Sequence, residues 1–283
     1  MPSSLFKRSK STSASEYQLD SKELSHIEQA LPTSTHAERV RFLTDRRGKG
    51  DSEAAIEKLG NFLEWRKNHI NDDLSHLDPW TYASQQAIQI ANKGMDARDD
   101  ASSDVTLPCP VFVKEYNQTS INDKGEEIVT KKKYFHHLPA RIDPELADGS
   151  TYGLAMAIYI DRVLDRESTE QVSIIIDVRG GRGWANINAL YLLPYMQSTS
   201  KLLCALHPLR LESCVVFPLA KPAIVFYHAV KPFIGSDTVN KVHLVSGGSG
   251  MHAKTPMEGL RKYLDEECIL DCEERRSSYF EEE

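Results

Sequence analysis

Three short stretches in the second half of the chain are almost continuously apolar, and turn chemistry follows the first of them. Residues 172–178 (VSIIIDV) are apolar and β-branched, the pattern of a strand buried on both faces. The run ends in Arg179-Gly180-Gly181-Arg182-Gly183, which neither a helix nor a strand tolerates. Residues 213–219 (SCVVFPL) and 241–246 (KVHLVS) predict two further strands. Between these strands, residues 186–206 predict a helix with Asn186 at its N-cap, and residues 221–234 predict another. Strand, helix, strand, helix, strand implies right-handed crossovers and a mainly parallel sheet.

The helix predicted over 221–234 lacks a polar face. Ile224, Val225, Phe226, Tyr227, Ala229, Val230, Phe233 and Ile234 leave His228 and Lys231 as its plainly polar positions. A surface helix carries an apolar stripe and a polar remainder, so this one must be covered on two sides. The sheet covers one side; the other needs a second protein layer, a membrane or a bound apolar ligand. Pro232 lacks an N–H and kinks or ends the helix.

Upstream, residues 1–20 predict a disordered tail, with a transit peptide as the alternative for its basic, Ser-rich start. Helices are predicted over 21–31, 36–45, 51–70 and 79–91. In the third, Ile56, Leu59, Phe62, Leu63 and Trp65 fall at helical spacing, and Asp51 or Ser52 caps it. Residues 94–106 form a polar linker. Residues 110–116 and 133–138 predict strands, Asn122-Asp-Lys-Gly125 a turn, and residues 151–164 a helix.

Charge adds little. The 283 residues carry a net charge of −7. Residues 265–283 hold nine acids and two bases, which is −7 by themselves; the rest of the chain has 32 of each sign. A neutral body with an acidic end has no electrostatic footprint for nucleic acid, and the end is expected to be solvated. No apolar run reaches the 18 residues of a membrane span. Five scattered cysteines without a Cys-x-x-Cys pair predict reduced thiols and a cytoplasmic protein.

The ordered segments Asp177-Val-Arg-Gly180, His207-Pro-Leu-Arg-Leu211, Phe217-Pro-Leu-Ala-Lys-Pro222 and Lys231-Pro-Phe-Ile-Gly-Ser-Asp-Thr238-Val-Asn-Lys241 resemble the lipid-binding domain of the CRAL-TRIO family. This family includes the secretory phosphatidylinositol transfer proteins. Arg41-Phe-Leu-Thr-Asp-Arg-Arg47, followed by residues 54–67, is similar to the small helical lobe that precedes that domain. The resemblance implies an α/β fold: a helical N-terminal lobe over 21–93, then a lipid-binding domain over 108–270. In that domain a mainly parallel sheet, helices and a mobile gate helix enclose a lipid pocket, and an acidic tail over 271–283 follows. The family domain usually ends in a Leu-Pro segment and a Gly pair that close the sheet edge. Neither is present here, so the edge is finished differently or the C-terminal acids replace that closure.

The resemblance also implies the parts of a site. Helix 221–234 stands at the gate position, with Ile224, Val225, Phe226, Val230, Phe233 and Ile234 facing the pocket, and Val172, Ile174 and Ile176 line it from the first strand. Arg46 and Arg47 match the family's basic head-group pair, and Thr238 and Lys241 match its Thr-x-x-Lys. Leu209 stands where the family has the acid that accepts from inositol hydroxyls. Without that resemblance, the apolar helix reads as an ordinary buried core helix, and Arg46, Arg47 and Lys241 as solvated charges. The strand before Asp177 has no hydroxyl at Val172 or Ile174, and Ser173 points to the other face, so a choline-lipid site is not expected.

Enzyme signatures are weak. Gly180-Gly181-x-Gly183 lacks the Walker lysine and the full dinucleotide fingerprint, so it predicts a tight turn. Asp177 has no accompanying nucleophile and base, and is expected to bond donors of the Gly-rich loop. His136 and His137 face opposite ways along a strand and cannot share a metal; the remaining histidines lack zinc spacing. The expectation is a non-catalytic carrier with no cofactor or metal besides its lipid. It binds a phospholipid, phosphatidylinositol first, visits membranes transiently and presents lipid to a kinase or moves it between membranes. Three alternatives stay open: a carrier of a tocopherol- or retinoid-like ligand, an α/β enzyme with a small-molecule site at Gly180–Gly183, and an interaction module with a vestigial pocket.

Overall fold

The computed structural model describes residues 21–45, 50–70, 76–93, 105–121, 125–180, 189–220, 231, 239–248 and 253–281. Four helices come first: α1 (Ser21–Ala30), α2 (His36–Thr44), α3 (Ser52–His69) and α4 (Pro79–Lys93). A hairpin follows, β1 (Val111–Ile121) and β2 (Glu127–His137), and then α5 (Gly149–Val163), β3 (Val172–Asp177), α6 (Ala189–Leu206), β4 (Leu211–Leu219) and β5 (Val242–Ser246). A single turn, α7 (Met257–Leu260), and a long helix, α8 (Glu266–Glu281), complete the described chain.

Local chemistry accounts for the helix starts. Thr35 and Glu38 form a reciprocal capping box on α2: Thr35 Oγ1 accepts from Glu38 N at 3.1 Å, and Thr35 N donates to Glu38 Oε2 at 2.8 Å. Asp51 Oδ1 accepts from Glu53 N and Ala54 N at the start of α3, and Asp148 Oδ1 accepts from Thr151 N at 2.7 Å at the start of α5. Asn186, the expected cap of α6, lies outside the described residues.

The strands lie in the order β1-β2-β3-β4-β5. β1 and β2 are antiparallel; β2, β3, β4 and β5 run parallel. The sheet is therefore mixed α/β and mainly parallel, as the alternating pattern predicts. Both hairpin strands are longer than the sequence pattern indicates, because their outer halves lack an alternating apolar pattern and pair only with each other.

The two faces of the sheet are not equally covered. On one face Tyr134, Ile175, Val215, Phe217 and Val245 are 5% exposed or less and pack on Leu260, Leu264, Cys268, Ile269 and Cys272. On the other face Phe135 and Val172 join a core with α4, α5 and α6. The helical lobe has its own core, with Ile27, Phe42, Leu43, Leu59 and Phe62 packed against Ala157 and Leu206. α5 and α6 approach closely at Gly153, where a Cβ would stand 2.6 Å from Ser198 Oγ and 3.2 Å from Thr199 N.

The acidic C-terminus departs from the expected solvated end. Residues 266–281 are a helix whose Cys268, Ile269 and Cys272 are buried against the sheet. Asp271 accepts from Tyr116 Oη at 2.5 Å, from Arg275 at 3.0 Å and from Lys114. Burial opposes its ionisation, but these donors hold its carboxyl below the usual carboxylate range. The apolar spacing at 268, 269 and 272 outweighs the surplus of acids, because the acids occupy the other positions of the helix.

The ion pair of Asp177 with Arg179 sits at the end of β3 with side chains 0% and 1% exposed. Breaking a buried pair by removing one partner costs about 3–5 kcal/mol. Asp177→Ala should lower the unfolding free energy by that order in urea titration; a loss well under 1 kcal/mol would mean that Arg179 finds another partner.

Candidate functional site

The candidate pocket face is built by alternation along the parallel strands. Phe135 pairs with Ile174, which pairs with Cys214, which pairs with Val242; His137, Ile176, Val216 and Leu244 form the next row. Residues in register share a face. On β3, Ser173, Ile175 and Asp177 are buried, whereas Ile174 and Ile176 are only partly so. Val216, Val242 and Leu244 are likewise partly open. Central strands of a parallel sheet are ordinarily buried on both faces, so this face carries an apolar floor that the described chain leaves incompletely covered. Leu192, Met196 and Leu203 of α6, all partly buried, flank it.

One polar pair stands on this face. Tyr195 Oη and His137 Nε2 are 2.7 Å apart, and the two rings lie parallel within 7°. His136 points the opposite way, as alternation requires, toward Arg275 and Arg179. No group of three or more His, Cys, Asp or Glu side chains able to hold a metal occurs among the described residues. The five cysteines are free thiols, and burial pushes the Cys109 thiol up to about 11.

The expected site residues divide into those the structure describes and those it does not. Val172, Ile174 and Ile176 share one face of β3, with Val172 buried and the two isoleucines partly open. Lys241 precedes β5 and donates from Nζ to the carbonyl of Leu211. Arg46, Arg47 and Thr238 lie outside the described residues, as does helix 221–234 with Ile224, Val225, Phe226, Val230, Phe233 and Ile234; Lys231 alone is described there, and it is exposed. Of the Gly180–Gly183 loop only Gly180 is described. Asp177 accepts from the backbone N of Arg179 at 3.0 Å, and also from its guanidinium.

Leu209 adopts the left-handed conformation, with φ 63°. This is uncommon for a residue with a branched side chain and costs on the order of 1–3 kcal/mol unless its surroundings enforce it. Gln171 Nε2 donates to its carbonyl at 2.8 Å. The next residue, Arg210, is buried and donates to the carbonyls of Glu170, at 2.8 Å, and of Asp165. The turn is thus locked from both sides.

Sequence reasoning missed the junction with the helical lobe. Glu38, fully buried, completes its capping box and also receives Arg166 through Nε at 2.6 Å and Nη2 at 2.9 Å. Arg41 donates to the carbonyls of Arg166 and Ser168, and burial, with Arg210 nearby, lowers its guanidinium to about 10. The Thr-x-x-Glu spacing is visible in the sequence, but its second partner is 128 residues away.

The fold and this floor define a class first: an α/β domain with a helical lobe, one sealed sheet face and one apolar face left partly open. Over residues 132–271 the chain matches the family model described as the CRAL/TRIO domain. It therefore carries a lipid-binding domain. No curated protein matches the chain in sequence. A solved structure titled "Crystal structure of Sfh5" is similar at 12% identity and a TM-score of 0.49, over 75% of this chain and 64% of that one. No helix among the described residues is long and apolar enough to cross a membrane.

Burial, and for His136 the guanidiniums of Arg275 and Arg179, pushes both His136 and His137 down to about 3. The unfolded imidazole titrates near 6.5, so as pH falls the unfolded chain takes up protons before the folded one does. This stability is fully present above about pH 6.5 and is lost progressively as pH falls toward 3. Urea midpoints should be lower at pH 5 than at pH 7, with net proton uptake on unfolding. Equal midpoints would count against two buried neutral imidazoles.

Proposed function

We propose that this protein binds a phospholipid, phosphatidylinositol first among candidates, against the partly open sheet face and carries or presents it at membranes. One observation carries the reading: Ile174, Ile176, Val216 and Leu244 form an apolar floor across β3, β4 and β5 while the opposite face is sealed. Acyl chains supply the driving force at roughly 0.8 kcal/mol for each buried CH₂. The bilayer supplies nearly the same, so exchange is close to thermoneutral and its rate depends on opening. Residues 221–234 serve as the gate in this reading, because a helix apolar nearly all round must be covered on both sides.

Head-group contacts fall to Arg46, Arg47, Thr238 and Lys241. Arg suits planar recognition of phosphate, and Lys serves as a point charge. The protein works at the cytoplasmic surface of membranes and hands lipid to an acceptor membrane or a lipid kinase. A second reading rests on Leu209, which is apolar where a hydroxyl acceptor would recognise an inositol ring. It favours a less polar ligand of tocopherol or retinoid type in the same pocket.

Mass spectrometry of organic extracts from detergent-free protein made in a eukaryotic host tests both. Stoichiometric phosphatidylinositol is the expected result; a neutral isoprenoid ligand would select the second reading, and no lipid at all would sink the carrier function. Thr238→Ala with Lys241→Ala should reduce transfer of phosphatidylinositol between vesicles about 10- to 100-fold, the worth of charge-assisted hydrogen bonds of 1.5–3 kcal/mol. Acyl-chain binding and unfolding midpoints should hardly change. Equal transfer by variant and parent would remove the head-group assignment.

A further inference from the structure

At the carboxyl edge of the sheet one guanidinium joins four segments of the chain. Arg179, two residues beyond β3, is 2% exposed. Its Nε donates to Asp177 Oδ1 at 2.9 Å and its Nη2 to Asp177 Oδ2 at 2.6 Å. Its Nη1 donates to the Ala253 carbonyl at 3.2 Å and to Thr255 Oγ1 at 2.8 Å, in the segment between β5 and α7. Its Nη2 also donates to Glu273 Oε2 on α8 at 2.9 Å, and Thr255 donates to the same oxygen. Its Cζ lies 5.4 Å from the ring centroid of Phe217 on β4. Nearby on α8, Arg276 donates from Nη2 to the Gly180 carbonyl at 3.1 Å and stands 3.8 Å from Asp177.

Two guanidiniums and two carboxylates balance in this hub. Asp177, Arg179 and Arg276 are buried; the Glu273 side chain is 38% exposed. Neutralising Glu273 leaves two cations against one carboxylate where little water reaches. The hub stands where β3 and β4 end, and Val178 N donating to the Phe217 carbonyl at 2.8 Å joins the two ends. In open α/β sheets ligands bind outside these carboxyl ends.

We propose that α8 positions the carboxyl edge of the sheet, through Glu273 on Arg179 and Arg276 on Gly180, and thereby sets the rate of ligand exchange in the pocket on the opposite face. Glu273 and Arg276 are positioning residues, and the exchange part of the proposal rests on the lipid-carrier reading above. Both belong to the helix that packs on the sealed face, so neither distinguishes one lipid from another. Their effect falls on how readily the edge opens, and not on which ligand is held.

Two measurements on the full chain test this. The first, amide hydrogen exchange of lipid-free protein, needs no ligand. Glu273→Gln should speed exchange at Val178 and Arg179 about tenfold while β1 amides keep their rates, as expected for a local opening; Glu273→Asp should restore protection. The second follows pyrene-acyl phosphatidylinositol moving between phosphatidylcholine vesicles. Glu273→Gln and Arg276→Gln should each raise the exchange rate several-fold, with loading at equilibrium changed less than about twofold, equivalent to about 0.4 kcal/mol. Unchanged amide rates at Val178 and Arg179 would overturn the positioning role. Faster amides with unchanged lipid exchange would overturn the coupling. A parent protein that moves no lipid would instead remove the carrier reading, while the amide result would still decide the positioning role.

Discussion

A charge that water cannot reach must be paired, and that constraint holds this structure together at both ends. At the carboxyl edge of the sheet, the buried pair of Asp177 and Arg179 finds its remaining partners in Ala253, Thr255, Glu273 and Arg276. At the lobe junction, the buried Glu38 carboxyl is met by Arg166 with two hydrogen bonds. Neither set can form until segments distant in sequence have met. The apolar core supplies the driving force for collapse, and the buried charges select one arrangement of lobe, sheet and C-terminal helix.

The inequality of the two sheet faces follows from this arrangement. α8 is drawn onto one face by Cys268, Ile269 and Cys272 and fixed there by Asp271 and Glu273. The other face receives α4, α5 and α6 and keeps Ile174, Ile176, Val216 and Leu244 partly open. A rigid sealed face backing a less complete one suits a protein that must hold an apolar ligand and release it. The turn at Leu209–Arg210 is held by Gln171 on the Leu209 carbonyl and by Arg210 on the Glu170 carbonyl.

Much of the fold was legible because the parallel strands are short apolar runs separated by turn chemistry. Residues 172–177, 213–219 and 242–246 announce themselves by β-branched composition, and the helical lobe by the spacing of Leu59 and Phe62. The hairpin extends past its sequence signal because the outer halves of β1 and β2 pair only with each other and lack an alternating apolar pattern. At the C-terminus nine acids mask a narrow apolar stripe, and a helix needs only such a stripe to dock. Lys241 stands out by its motif, but its bond to the Leu211 carbonyl depends on the pairing of β4 and β5, which no local pattern encodes.

The element types, the mainly parallel α/β class and the opposite orientation of His136 and His137 are encoded locally along the chain. These follow from periodicity and turn chemistry, which act over a few residues. Packing of the elements settles which sheet face is sealed, that Tyr195 meets His137, and that Arg179 gathers Thr255 and Glu273 into one hub. Those contacts join residues 58 to 94 positions apart. Long-range pairing of buried polar groups depends on how the elements pack, and the pattern along the chain does not specify it.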